Sequence, residues 1–224
     1  MAMHKNRLLF TKSGRACYIS HLDLMATFQR AFLRSGVEIW QTEGFNRHVF
    51  VSIALPLSLG YSSDCEILEF NLESPFSFDE VVERLNRALP EGIHVRECYE
   101  AKIPCKKIVD LDWTVTLEYD DGVPTAAPAA LRELLGRESC VIQKKSKKAK
   151  KGYTELDIIP MVKSLSLEEQ PDKLIFSARL AAQNPGLNPA LIIDTLSAET
   201  PAAKPDFVRC HRNEVYGEDG AVFR

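Results

Sequence analysis

Hydrophobic and polar positions in the first hundred residues follow two alternating periods. Leu8, Leu9 and Phe10 form a short apolar run, so residues 6–18 read as a strand interrupted by a turn at Ser13-Gly14. From Ser20 to Ser35 the period becomes helical. Met25, Phe28 and Phe32 make an apolar stripe, while Asp23, Thr27, Arg30 and Arg34 line another side. Ser20 suits the N-cap, Asp23 completes a capping-box-like pair, and Gly36 can end the helix in a left-handed conformation. Residues 49–55 are β-branched and aromatic, as in a buried strand. In 66–73, Leu68, Phe70 and Leu72 alternate with Glu69, Asn71 and Glu73, which predicts a strand with one wet face. A second helix begins at the Ser77 cap, with Glu80 three residues on and Phe76 placed to staple to Val81. It continues through Leu85 and Leu89 to Pro90 and Gly92, and a strand follows at Ile93 to Tyr99. This βαββαβ order is the ferredoxin-like unit.

The second half repeats the order loosely. Trp113, Val115, Leu117 and Tyr119 alternate with Thr114, Thr116 and Glu118, and Asp120-Asp121-Gly122 turns the chain. A helix is expected over 128–136 and strands near 139–144, 153–168 and 173–181. Asn188 and Pro189 open a further helix, and 206–216 closes the sheet. The predicted fold is α+β: two tandem ferredoxin-like (βαββαβ) units with antiparallel sheets. They span residues 1–104 and 112–224, joined near 100–111.

Composition changes this picture little. The 224 residues are 45% hydrophobic and 26% charged, an ordinary globular balance. No apolar run approaches the roughly 20 residues that span a bilayer. Met1-Ala2-Met3-His4-Lys5 lacks a hydrophobic signal core, so a cytoplasmic protein without a membrane partner is expected. The six cysteines form no C-x-x-C pair and no C-x-x-x-C-x-x-C run, so the chain has no iron–sulfur motif and is not itself a radical-SAM enzyme. There is likewise no P-loop, G-x-G-x-x-G, G-x-S-x-G or H-E-x-x-H.

Charge alters the picture more. The net charge is −3, yet Lys144, Lys145, Lys147, Lys148, Lys150 and Lys151 bring +6 within eight residues, which leaves −9 for the rest. Residues 1–63 hold seven Lys/Arg against three Asp/Glu, or +4, and residues 64–100 hold three against ten, or −7. A polyanion can therefore dock on one side only. The lysine-rich loop at 144–151 lies between two expected strands, and a basic hairpin tip of that kind reaches phosphates. Arg30, Arg34 and Arg47 extend the patch, with Arg209 and Arg212 added from the last strand.

Candidate chemistry sits at the joints of the first unit. Ser20-His21-Leu22-Asp23 reads plainly as a helix cap, and its helix N-terminus also favours an anion and a neutral His21. Gly44-Phe45-Asn46-Arg47-His48 reads as a self-bonded loop, with Phe45 anchored in the core. If His21 and His48 converge, Ser20, Asp23, Asn46 and Glu66 complete a pocket. His21, His48 and Asp23 are then the catalytic candidates and the two histidines the candidate metal ligands. A divalent metal is the only cofactor this set suggests.

Several of these residues also carry a resemblance. Lys12-Ser13-Gly14, Tyr18-Ile19-Ser20-His21-Leu22-Asp23-Leu24-Met25, Gly44-Phe45-Asn46 with His48, and Leu55-Pro56-Leu57 with Gly60, Ser63 and Glu66 resemble the radical-SAM-linked bacterial protein family, a domain of unknown function. Leu85 to Pro90, and Leu156-Asp157-Ile158 with Pro160, resemble it too. The resemblance implies a radical-SAM partner protein and an RNA or ribosome context. The family's G-F-N-P-H-P pattern has prolines where this chain has Arg47 and Val49. By fold alone the tandem arrangement resembles the pseudouridine synthases, without their R-T-D signature, and the CRISPR RNA-processing endonucleases. The expected function is thus an accessory RNA- or ribosome-related binding protein acting with a radical-SAM enzyme. The alternatives are a histidine-dependent ribonuclease or RNA-modifying enzyme, and a protein-interaction scaffold without nucleic acid.

Overall fold

The computed structural model describes residues 5–45, 47–145 and 152–224. It is a mixed α+β protein with mostly antiparallel sheet, in two compact units: 1–107 with 211–224, and 108–210.

In the first unit the order is β1 (Lys5–Lys12), α1 (His21–Ser35), β2 (Ser52–Ala54), β3 (Ser62–Asn71), α2 (Phe78–Ala88) and β4 (Ile93–Glu100). The strand order is β4-β1-β3, with β2 on β3 and every pair antiparallel. Leu8, Phe10, Leu68, Phe70 and Val95 pack against Leu24, Phe28, Ala31, Phe32, Val81 and Leu85 of the two helices. The local signals produce both helices. Ser77 accepts from the Glu80 amide at 3.2 Å, and Gly36 takes φ 69 at the end of α1.

Three expectations for this unit need correction. Residues 14–18 form a 3-10 turn, so the first strand ends at Lys12. The strand expected over 49–55 is only Ser52–Ala54; before it the chain runs as a loose ladder in which Phe50 N–H donates to the Trp40 carbonyl at 3.0 Å. The expected wet face of β3 is covered. Arg7, 1% exposed, pairs with Glu69 at 2.8 Å and lies over the Phe223 ring at 5.0 Å. Alternation cannot reveal a cover supplied by the far end of the chain. Burial acts against ionisation of Glu69, but its bonds with Arg7 and Cys105 hold its carboxyl below the usual range.

In the second unit the order is β5 (Ile108–Glu118), α3 (Ala126–Leu135), β6 (Val141–Lys145), β7 (Tyr153–Asp157), β8 (Val162–Glu169), β9 (Lys173–Ala181) and α4 (Pro189–Glu199). The last strand, β10 (Phe207–Gly217), begins here, and the order is β10-β5-β9-β8. The alternation read in β5 holds, with Leu111, Trp113, Val115 and Leu117 buried. Asn188 caps α4, accepting from the Ala190 amide at 2.9 Å. The strand expected over 153–168 is two strands. Pro160 opens a 3-10 turn at Ile159–Met161, and Asp157 braces it by accepting from Cys140 N and Ile159 N at 2.9 and 3.2 Å. Among the described residues β6 and β7 pair with each other, as a hairpin apart from the main sheet. From His211 onward the chain belongs to the first unit, where His211 and Arg212 pair in parallel with Ser62 and Ser63.

Candidate functional site

The start of α1 is a closed cap. Ser20 Oγ accepts from the Asp23 amide at 3.1 Å and donates to Asp23 Oδ2 at 2.7 Å, so each satisfies the other. His21 is the first helical residue and is exposed, as are its neighbours Tyr18 and Leu22. Ser20→Ala removes the acceptor of one orphan amide. It should cost about 1 kcal/mol of stability, read as a lowered urea midpoint; an unchanged midpoint would mean that water serves the Asp23 amide equally well.

The glycine-led loop is bonded to itself. Thr42 N–H donates to the His48 carbonyl at 2.9 Å, and the Thr42 hydroxyl lies 3.0 Å from His48 Nδ1. Gly44 has φ 116, a conformation that strains any side-chain-bearing residue. Phe45 does not anchor this loop. It is 109% exposed, because the Thr42–His48 pairing turns the tip outward and offers it no core position. Arg47 is exposed, and Asn46 lies outside the described residues. The loop joins α1 where Gln29 Nε2 donates to the Val49 carbonyl at 3.0 Å. That point is eight residues along the helix from His21, about 12 Å at the α-helical rise. Among the described residues no three His, Cys, Asp or Glu side chains cluster so as to hold a metal ion.

Glu66 lies elsewhere, in a buried polar brace. Its Oε1 accepts from Arg212 Nη1 at 2.9 Å, with the two side chains 0% and 4% exposed. Arg212 Nη2 also donates to the carbonyl of Leu55, a leucine held at φ 47. Lys12 Nζ donates to the Cys17 carbonyl at 3.2 Å, and the same carbonyl accepts from Gly60 N–H at 2.9 Å. Burial raises the Glu66 carboxyl above its ordinary range, opposed by Arg212, Ser63 and Lys12. Burial lowers the Lys12 amine, opposed by Cys17 and Glu66. Of the residues that carried the resemblance, Leu55, Ser63 and Glu66 are thus joined to Arg212 on the last strand, while Lys12 and Gly60 share the Cys17 carbonyl. Arg212 is correspondingly absent from the basic surface.

A second cluster lies beside this brace, and sequence reasoning missed it. Ser62 Oγ is 2.8 Å from His211 Nδ1, and His211 Nε2 is 3.0 Å from Asp64 Oδ2. The only signal available was Ser62-x-Asp64 at the head of a strand; its partner is 149 residues from Ser62.

The basic candidates divide by partner. Arg30 is exposed, and Arg34 donates to the Ala88 carbonyl at 2.7 Å, which satisfies the end of α2. Arg209 forks onto Glu118 at 2.7 and 3.2 Å, so its charge is neutralised. Lys144 is exposed on the β6–β7 hairpin, its Nζ 3.5 Å from the Gly186 carbonyl. Lys147, Lys148, Lys150 and Lys151, with the side chain of Lys145, lie outside the described residues.

A family model described as an uncharacterized protein conserved in bacteria matches residues 5–189. No curated protein matches the chain. Among solved structures, a chain of a Cbf5-Nop10-Gar1 complex is similar at TM-score 0.51 and 10% identity, covering 96% of this chain. This chain spans 50% of that one, and the likeness is one of fold alone. A solved chain described as an unknown protein from Galdieria sulphuraria aligns at TM-score 0.27 and 13% identity, covering 94% of this chain and 97% of that one.

Proposed function

We propose that this chain, which belongs to the DUF2344 family of uncharacterized proteins conserved in bacteria, is an accessory RNA-binding protein that acts with a radical-SAM partner enzyme. The observation carrying this reading is the β6–β7 hairpin. Its strands pair with each other apart from their unit's main sheet, and in the sequence the six-lysine run at 144–151 falls between Val141 and Asp157, the outer ends of that hairpin. A basic ribbon of this kind meets phosphate groups without burying its charges. The radical-SAM link rests on the resemblance of the motif segments, whose exposed Tyr18, Leu22 and Leu59 offer a partner an apolar surface. Reading both units as ferredoxin-like is supported by their strand orders: β4-β1-β3 with β2 on β3 in one, and β10-β5-β9-β8 in the other.

A salt titration of single-stranded RNA binding tests the role. If all six lysines meet phosphates, log K falls against log salt with a slope of about −4, and replacing all six with alanine removes most of that slope. An unchanged slope in the alanine variant, or binding indifferent to salt, rules the role out.

A further inference from the structure

We propose that Ser62 is a nucleophile activated by His211 and oriented by Asp64, and that these residues form an acyl-transfer site for carboxylic esters. The site begins with an irregularity in β3. Phe10 lies opposite Glu66 and Lys12 opposite Ser63, so two steps on β1 span three on β3. This bulge leaves Ser63 and Glu66 on the face that carries Phe10 and Lys12, and turns Ser62 and Asp64 to the other. His211 is in register with Ser62 on β10 and shares their face.

The hydrogen bonds fix the direction of the relay. The Asp64 carboxylate can only accept, so the proton on a neutral His211 resides at Nε2, 3.0 Å away. Nδ1 then presents its lone pair to Ser62, whose hydroxyl donates across 2.8 Å. A nucleophile in reach of a base, with the base held by a third group, is the arrangement that activates a hydroxyl. His211 is 31% exposed, so an ester can approach. Arg96 Nη1 donates to the Asp64 carbonyl at 3.0 Å and brings a guanidinium to that neighbourhood.

In the reaction, Ser62 Oγ attacks the ester carbonyl carbon and its proton passes to His211 Nδ1. The ester C–O bond breaks and the alcohol leaves with that proton. Water, deprotonated by His211, then releases the acid and restores the serine.

A fluorophosphonate probe on the full chain tests the site, with adducts located by intact mass and peptide mapping. One adduct is expected on Ser62, absent in Ser62→Ala. His211→Gln should slow labelling by about 10²-fold or more, the scale of a lost general base. Asp64→Asn should slow it too, because a carboxamide can donate to Nε2 and reverse the tautomer, while the melting temperature is unchanged. A cross-strand pin without chemistry predicts altered stability and no adduct. No adduct, an adduct elsewhere, or equal rates in wild type and Asp64→Asn overturns the proposal. Should His211→Gln fail to fold, Asp64→Asn decides.

Discussion

Arg212→Ala is expected to lower the free energy of unfolding by about 3–5 kcal/mol, the largest loss from any single polar change in the first unit. The guanidinium contacts Glu66 at 2.9 Å where both side chains are almost fully buried, and its other arm satisfies the Leu55 carbonyl. Truncation leaves a carboxylate and a carbonyl inside the unit without their donor. Replacing Glu66 and Arg212 together by methionine removes the orphaned charge with its partner, so the double variant should be more stable than Arg212→Ala. The pH dependence has a defined sign. In the single variant the Glu66 carboxyl, raised by burial, loses the opposing effect of Arg212 and rises further, so the folded chain retains a proton that the unfolded chain releases. Stability then falls as pH rises through and above the ordinary carboxylate range. Urea unfolding at several pH values measures all three quantities. A single variant that loses less than about 1 kcal/mol, with no slope in pH, would show the pair to be no brace at all.

Phe28→Ala should cost about 3–5 kcal/mol. Phe28 is fully buried and meets Phe10 edge to face, with ring centroids 4.7 Å apart. The lost area and the cavity left between α1 and β1 both contribute, since a helix pinned by sheet contacts relaxes little into the gap. Phe28→Leu, which refills much of the volume, should lose markedly less. The comparison with Ser20→Ala separates the two forces on α1. The cap begins the helix and packing holds it, so the core change must exceed the cap change several-fold in urea midpoint. Equal shifts would place α1's stability in its capping rather than its packing.

Local chemistry made the helices legible. Ser20, Ser77, Asn188 and Gly36 act on amides or torsions within a few residues of themselves, and each does so in the folded chain. Reading failed where a distant segment intervened. Glu69 looks like part of a solvated strand face until Arg7, lying under the Phe223 ring, and Cys105 bond to it. Glu66 looks like a ligand beside the histidines until Arg212, 146 residues away, claims it. Phe45 looks like an anchor because it is aromatic, but the closure of its loop by Thr42 and His48 leaves it in solvent. The break of 153–168 was signalled by Pro160 and still escaped, because residues on both sides suit strands.

The sequence by itself determined the order of helices and strands in the first unit, where the helices begin, and where six positive charges gather, since these depend on neighbours a few residues apart. Only the tertiary structure decided that Lys12, Glu66 and Arg212 form a buried brace, and that Ser62, Asp64 and His211 meet on the opposite face. Those outcomes turn on the register of β10 against β3 and on a single extra residue in one strand, and no local pattern encodes either.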